Sequence, residues 1–176
     1  MVTSANPRTV EAETTGHRLA DLYQRYGPGA VRLAYLMTGD RTAAEDIAQD
    51  AFVRVAGRLG QLREPSAFEA YLRRAVVNVA KNHFRRRALE RAFIARTGPR
   101  EAMPGPERSV VDRHAVLGAL ARLPQRQRAA IVLRFYEDLP EGDVADILRC
   151  RPGTVRSLVT RGVQALRSDL GRDRDG

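Results

Sequence analysis

Residues 66–87 read SAFEAYLRRAVVNVAKNHFRRR. At helical spacing Phe68, Tyr71, Leu72, Ala75, Val76, Val79, Ala80 and Phe84 share one face, while Arg74, Asn78, Lys81, Asn82 and Arg85 share the opposite one. The first face is suited to a core. The second alternates cations with side-chain amides, the groups that hold phosphates and hydrogen-bond base edges. A helix of this kind standing alone is as readily a solvated basic surface, so its neighbours must decide between the two. Between Phe68 and Arg100 there are nine basic residues and two acidic ones, Glu69 and Glu90, so this stretch carries most of the net charge of +9. A solvated face normally mixes signs.

Towards the N-terminus, GRLGQLREP at 57–65 reads as a loop, and Ser66 followed by Glu69 is a capping-box spacing that opens the basic helix. Thr42 with Glu45 repeats that spacing and predicts a second helix start. Ala44, Ile47, Ala48, Ala51, Phe52, Val55, Ala56 and Leu59 continue that helix as an apolar stripe, and Glu45, Asp46, Gln49 and Asp50 form its other face. An acidic face in a basic chain is repelled by nucleic acid; it suits solvent or a cationic protein. His17 to Met37 reads as one or two helices, broken or bent near Gly27, Pro28 and Gly29, and ending at Thr38 and Gly39. Residues 1–16 read as a flexible tail, with neither the basic start nor the apolar segment of a secretory signal.

Towards the C-terminus, TGPREAMPGPERSVVD at 97–112 loses helical periodicity and reads as a proline-rich linker and a domain boundary. A second unit of four helices follows over 113–170, with 171–176 as a tail. Its helices are expected at Arg113–Arg122, from Pro124 through Tyr136, at Pro140–Leu148, and at Thr154–Leu170 with Thr154 as N-cap. The last two, joined by the tight turn RCRPG, have the form of a helix-turn-helix. Arg156, Ser157, Thr160, Arg161 and Gln164 project outward from its second helix, and the N-terminal end of such a helix meets base edges in the major groove. The fold class expected is all-α: two small helical domains, 17–96 and 113–170, joined by a flexible linker.

With 176 residues there is room for one ordinary domain or two small ones. The single cysteine, Cys150, excludes an internal disulfide and a thiolate zinc cluster and fits a reducing, cytoplasmic setting; the small residue of a turn is its expected role. The three histidines are scattered, and HExxH, P-loop, GxGxxG and GxSxG patterns are absent. No catalytic residue, metal or cofactor is therefore expected. No apolar run reaches the roughly 18 to 20 residues that cross a bilayer.

Taken together these residues resemble the extracytoplasmic-function (ECF) sigma factors of bacterial RNA polymerase. RLAYLMTGDRTAAEDIAQDAFVRV and AYLRRAVVNVAKNHFRRR are similar to the family's second region. ALARLPQRQRAAIVLRFYEDL, DVADIL and GTVRSLVTRGVQALR are similar to its fourth. The resemblance implies that Asp46, Gln49 and Asp50 dock on the clamp helices of the largest subunit of core RNA polymerase. It implies that Arg74, Asn78, Lys81, Asn82 and Arg85 face the non-template strand of the minus-10 element, with Asn78 near a flipped base and the loop 58–66 beside its pocket. Arg156, Ser157, Thr160 and Arg161 become the minus-35 contacts, region 4 meets the polymerase flap, and the linker threads the RNA exit path. Promoter DNA, core polymerase and an anti-sigma factor are the implied partners, in the cytoplasm and at the nucleoid when in holoenzyme. Phe68, Tyr71 and Phe84 are expected in the core rather than on the DNA face. The sequence departs from the family at Leu158, where a polar or basic residue is usual and a protein contact is an option, at Gly162, where alanine is usual, and at Pro140 and Gly142. The competing readings are a stand-alone helix-turn-helix regulator of duplex operators and a nucleic-acid enzyme such as a recombinase.

Overall fold

The computed structural model describes residues 7–58, 65–97 and 111–172, and all of its regular structure is helical. Three helices form the first unit: α1 (Pro7–Thr38), α2 (Arg41–Ala56) and α3 (Pro65–Thr97). Four form the second: α4 (Val111–Arg122), α5 (Gln125–Ile131), which runs on through a π-helical turn at Val132–Tyr136, α6 (Glu141–Leu148) and α7 (Pro152–Arg172). The linker at 98–110, the loop at 59–64 and the outermost ends of both tails lie outside the described residues. α1 begins at Pro7, inside the stretch read as a tail.

α1 is one helix, unbroken at Gly27, Pro28 and Gly29, where the sequence left one helix or two open. Pro28 sits inside it, with its ring side exposed, and the lost backbone hydrogen bond is outweighed by the face that packs: Ala30, Leu33, Ala34 and Met37 are all buried. Gly27 lies beneath the Tyr23 ring; an added Cβ would come 3.3 Å from Tyr23 Cε2, so the ring would have to shift by a few tenths of an ångström to admit it. The helix ends at Gly39, whose φ of +70° suits glycine and whose N–H donates to the Tyr35 carbonyl at 2.7 Å. α2 is capped by Asp40, whose carboxylate accepts from the Ala43 N–H at 3.1 Å, not by Thr42. Glu45 pairs with Arg41 at 3.1 Å instead of closing a capping box. Asp40 wins because Gly39 turns the chain just before it and leaves its side chain over the first free N–H groups.

Phe68, Leu72, Val76, Val79 and Ala80 bury the expected face of α3 against α1 and α2. Tyr23, Phe52, Phe68 and Tyr26 pack in series across this core, the first two contacts edge-to-face and the third tilted, with centroid separations of 5.1, 5.6 and 5.6 Å. Tyr71 departs from expectation: it is half exposed, at the edge of the apolar stripe.

In the second unit Pro124 precedes α5 as expected. The π turn carries Glu137 N–H to the Val132 carbonyl at 3.1 Å. α7 starts at Pro152, so Thr154 lies inside the first turn and is not its cap; a proline whose missing N–H would be unpaired anyway opens the helix. Two departures from the family pattern have packing reasons. Gly162 is buried beneath α5, where a Cβ would come 2.5 Å from Ile131 Cδ1, so the glycine lets α5 and α7 approach. Leu158 is buried in the core and is not presented to a protein partner.

The two units pack on each other. Ala129, Leu133, Val144, Ile147 and Val155 belong to the same apolar cluster as Leu33, Met37, Val76 and Val77. Leu36 of α1 reaches the neighbouring cluster of Leu120, Leu123 and Ile131.

Candidate nucleic-acid interface

Three surfaces carry the candidate residues. On α2, Asp46, Gln49 and Asp50 are all exposed, because Ala44, Ile47, Ala48, Ala51 and Phe52 point inward at the intervening positions. Val53 continues the same outer face one turn on and is 63% exposed. Sequence reasoning passed over it. Its signal was present: Asp46, Gln49, Asp50 and Val53 follow i, i+3, i+4, i+7 spacing outside the buried stripe. An exposed apolar side chain beside Gln49 and Asp50 has the composition of a protein-docking patch, an apolar centre with a polar rim.

On α3, Arg74, Lys81, Asn82 and Arg85 are exposed, and Asn78 is half-buried. The second unit explains the difference. Asn78 and Lys81, with Val77 beside them, line a cavity of about 60 Å³ whose far wall includes Gln125, Ala129 and Ile147. Val77, which the sequence placed on neither face, is buried by this contact. The candidate DNA residues are thus brought together on one helix, yet the position nearest base reading is partly roofed by α5 and α6.

Two arginines hold that roof. Arg73 of α3 pairs with Glu137 at the end of the π turn at 2.5 Å, their side chains only 17% and 15% exposed, and also with Glu69 at 2.9 Å. Arg128 of α5 is 5% exposed. Its Nη1 donates to the Met37 carbonyl at 2.7 Å, and its Nη2 donates to the carbonyls of Ala121 and Leu123. The guanidinium therefore serves the C-terminal ends of both α1 and α4, where helix dipoles favour a cation, and it lies 5.7 Å from the centroid of the Phe84 ring. Its Nε is buried without a hydrogen-bond partner among the described residues, and burial pushes its pKa below the ordinary arginine value. Nothing in the sequence distinguishes Arg128 from the chain's other arginines; only the fold does.

On α7, Arg156, Ser157, Thr160, Arg161 and Gln164 are exposed, and Val155 and Leu158 are buried beneath them. The turn before it passes through Arg149 in the left-handed region, φ 51°, and is tied by the Cys150 N–H to the Ala145 carbonyl at 2.9 Å. The Arg156 guanidinium meets the Glu141 carboxylate of α6 through two nitrogens, at 3.0 and 3.4 Å. That hydrogen bond, then the Glu141 charge, raise the Arg156 pKa above the ordinary value against a small desolvation. Ser157 Oγ donates to the Gly153 carbonyl at 3.0 Å, and Arg161 Nε donates to the Ser157 carbonyl at 3.2 Å. No helix among the described residues is long and apolar enough to cross a membrane.

Two family models cover most of both units. Residues 22–90 match the family described as Sigma-70 region 2, and residues 113–166 match Sigma-70, region 4. The RNA polymerase sigma-H factor of Pseudomonas aeruginosa is 32% identical over 140 residues, 72% of each chain. The ECF RNA polymerase sigma factor SigE of Mycolicibacterium smegmatis is 31% identical over 175 residues, covering 93% of this chain and 68% of that one. In fold the chain is similar to the sigma factor RpoE of Bartonella quintana, solved in complex with the anti-sigma factor NepR, with a TM-score of 0.69 at 24% identity over 86% of this chain and 97% of that one.

Proposed function

The chain belongs to the extracytoplasmic-function sigma factors of bacterial RNA polymerase, and from that membership we propose how its three surfaces divide the work of promoter-specific initiation. It is a non-enzymatic subunit that works with core polymerase on promoter DNA. The acidic face of α2, with Asp46, Gln49, Asp50 and Val53, docks on a basic helical surface of the core, the clamp helices of the largest subunit. The basic and amide face of α3 takes the non-template strand of the minus-10 element, with Arg74, Lys81 and Arg85 on the phosphates and Asn78 and Asn82 on base edges. Arg156, Ser157, Thr160 and Arg161 enter the major groove of the minus-35 element, while the rest of region 4 rests on the flap. This work takes place in the cytoplasm, at the nucleoid.

The observation that carries the reading is the opposition of sign within one packed unit. α2 exposes acids, α3 exposes cations and amides, and both project from one continuous core. A stand-alone operator-binding regulator has no use for the acidic face. The roof over Asn78 adds a condition: the second unit must move off α3 before a base reaches Asn78. A protein that binds both units would act on this equilibrium; the Bartonella sigma factor was solved in complex with an anti-sigma factor, and we propose a regulator of that kind here. Footprinting of a cognate promoter with reconstituted holoenzyme tests the division. Protection at both elements is expected, with Arg156→Ala losing the upstream one alone; protection lost at both or at neither would reject the assignment.

A further inference from the structure

Among the described residues, Arg156 is the one candidate DNA residue whose guanidinium meets a carboxylate from another helix. Glu141 is the first residue of α6, 15 positions earlier, and stands beside the start of α7. Its Oε2 accepts from Nη2 at 3.0 Å and its Oε1 lies 3.4 Å from Nε, so the carboxylate takes the side edge of the guanidinium. The end edge, Nη1 with the second hydrogen of Nη2, stays open among the described residues. Those two donors match the spacing of O6 and N7 on guanine, the commonest specific contact in the major groove.

We propose that Glu141 is a positioning residue that turns Arg156 into a reader of one guanine in the minus-35 element. The inference rests on the reading of α7 as the groove-entering helix. An arginine side chain has several rotatable bonds whose freedom must be lost on docking; Glu141 removes much of that freedom before DNA arrives. The same carboxylate repels phosphate and offsets part of the arginine's charge, so it weakens indiscriminate attraction to the backbone. Glu141 therefore raises the ratio of specific to non-specific binding from both sides. Arg161 is the contrast: it is steadied through Nε by the Ser157 carbonyl at 3.2 Å, a neutral partner, and keeps its full charge for phosphate. The raised pKa of Arg156 agrees with the geometry.

The test is selection of duplexes from a library randomised across the upstream element, using holoenzyme reconstituted from core polymerase and the full chain. Wild type is expected to select guanine at one position by about tenfold or more over other bases. Glu141→Ala should cut that preference to roughly threefold or less at that position alone, with binding to random duplex unchanged or stronger. Arg156→Ala should erase preference at the same position. Glu141→Gln, which keeps the shape and one of the two acceptor oxygens but not the charge, should fall between. If Glu141→Ala keeps the full preference, or weakens every sequence equally as a merely structural role would, the inference is overturned while the reading of α7 stands. If wild type selects no upstream sequence, both fall.

Discussion

Replacing Glu137 by arginine is expected to open the protein. The Arg73–Glu137 pair joins positions 64 residues apart across the two units, with both side chains more than four-fifths buried. Two unit charges at contact are worth about 4 kcal/mol at an effective dielectric near 20, before desolvation is subtracted. Fully exposed pairs retain less than about 1 kcal/mol, and breaking a buried one costs about 3 to 5. Arg73 keeps Glu69 at 2.9 Å when Glu137 is lost, so it is not left bare. Loss of the carboxylate alone is therefore placed near 2 kcal/mol, roughly a 30-fold shift in the balance between closed and open forms, and the second cation beside Arg73 adds repulsion to it. Small-angle scattering on the free full-length chain reads this as a larger radius of gyration for Glu137→Arg, and a minus-10 single strand should bind more tightly. Combining it with Arg73→Glu restores the attraction across the units. Compaction should return in large part, though not wholly, because the carboxylate introduced at position 73 would also face Glu69. An unchanged radius in the single variant, or a double variant as open as the single, would refute the latch.

Other outcomes follow from the same contacts. Charge reversal at Asp46 and Asp50 should abolish co-purification with core polymerase while helix content by circular dichroism is unchanged, since both side chains are exposed and away from the core; retained binding would move the docking surface elsewhere. Asn78→Ala should weaken binding of a minus-10 single strand by about 1 to 3 kcal/mol for one base at one position, whereas equal loss across sequences would make Asn78 a backbone contact. Gly162→Ala gains about 1 kcal/mol in helix propensity and loses about 1 to 3 to overpacking against Ile131. A net loss near 1 kcal/mol lowers Tm by about 2 to 4 °C. Adding Ile131→Val, which removes the Cδ1 that the new methyl meets, should recover most of it.

Much of the fold was legible because it rests on local periodicity. The stripes of α2 and α3 placed Ile47, Phe52, Phe68 and Val76 inside and Asp46, Gln49, Arg74 and Lys81 outside, and the structure agrees. Helix ends were less legible, since caps turn on single backbone angles: Gly39 in the left-handed region hands capping to Asp40, and Pro152 starts α7 ahead of Thr154. The packing of the two units was not legible at all. Val77 and Asn78 are covered by residues some fifty to seventy positions away, and the buried arginine that helps hold them, Arg128, looks in sequence like every other arginine. The same holds for Glu141 and Arg156: each is an ordinary charged residue until the helix-turn-helix brings their side chains together. Gly162 and Leu158 looked like departures from a DNA-binding pattern and are explained by packing.

The central claim is that this chain gives core RNA polymerase its choice of promoter. Run-off transcription tests it most directly: purified core polymerase is given a template carrying a promoter selected by the holoenzyme and a second template with that promoter scrambled. With the protein present, a discrete transcript is expected from the first template alone, and the Asp46 and Asp50 charge reversal should remove it. Equal transcription from both templates, or none beyond core polymerase alone, would contradict the account.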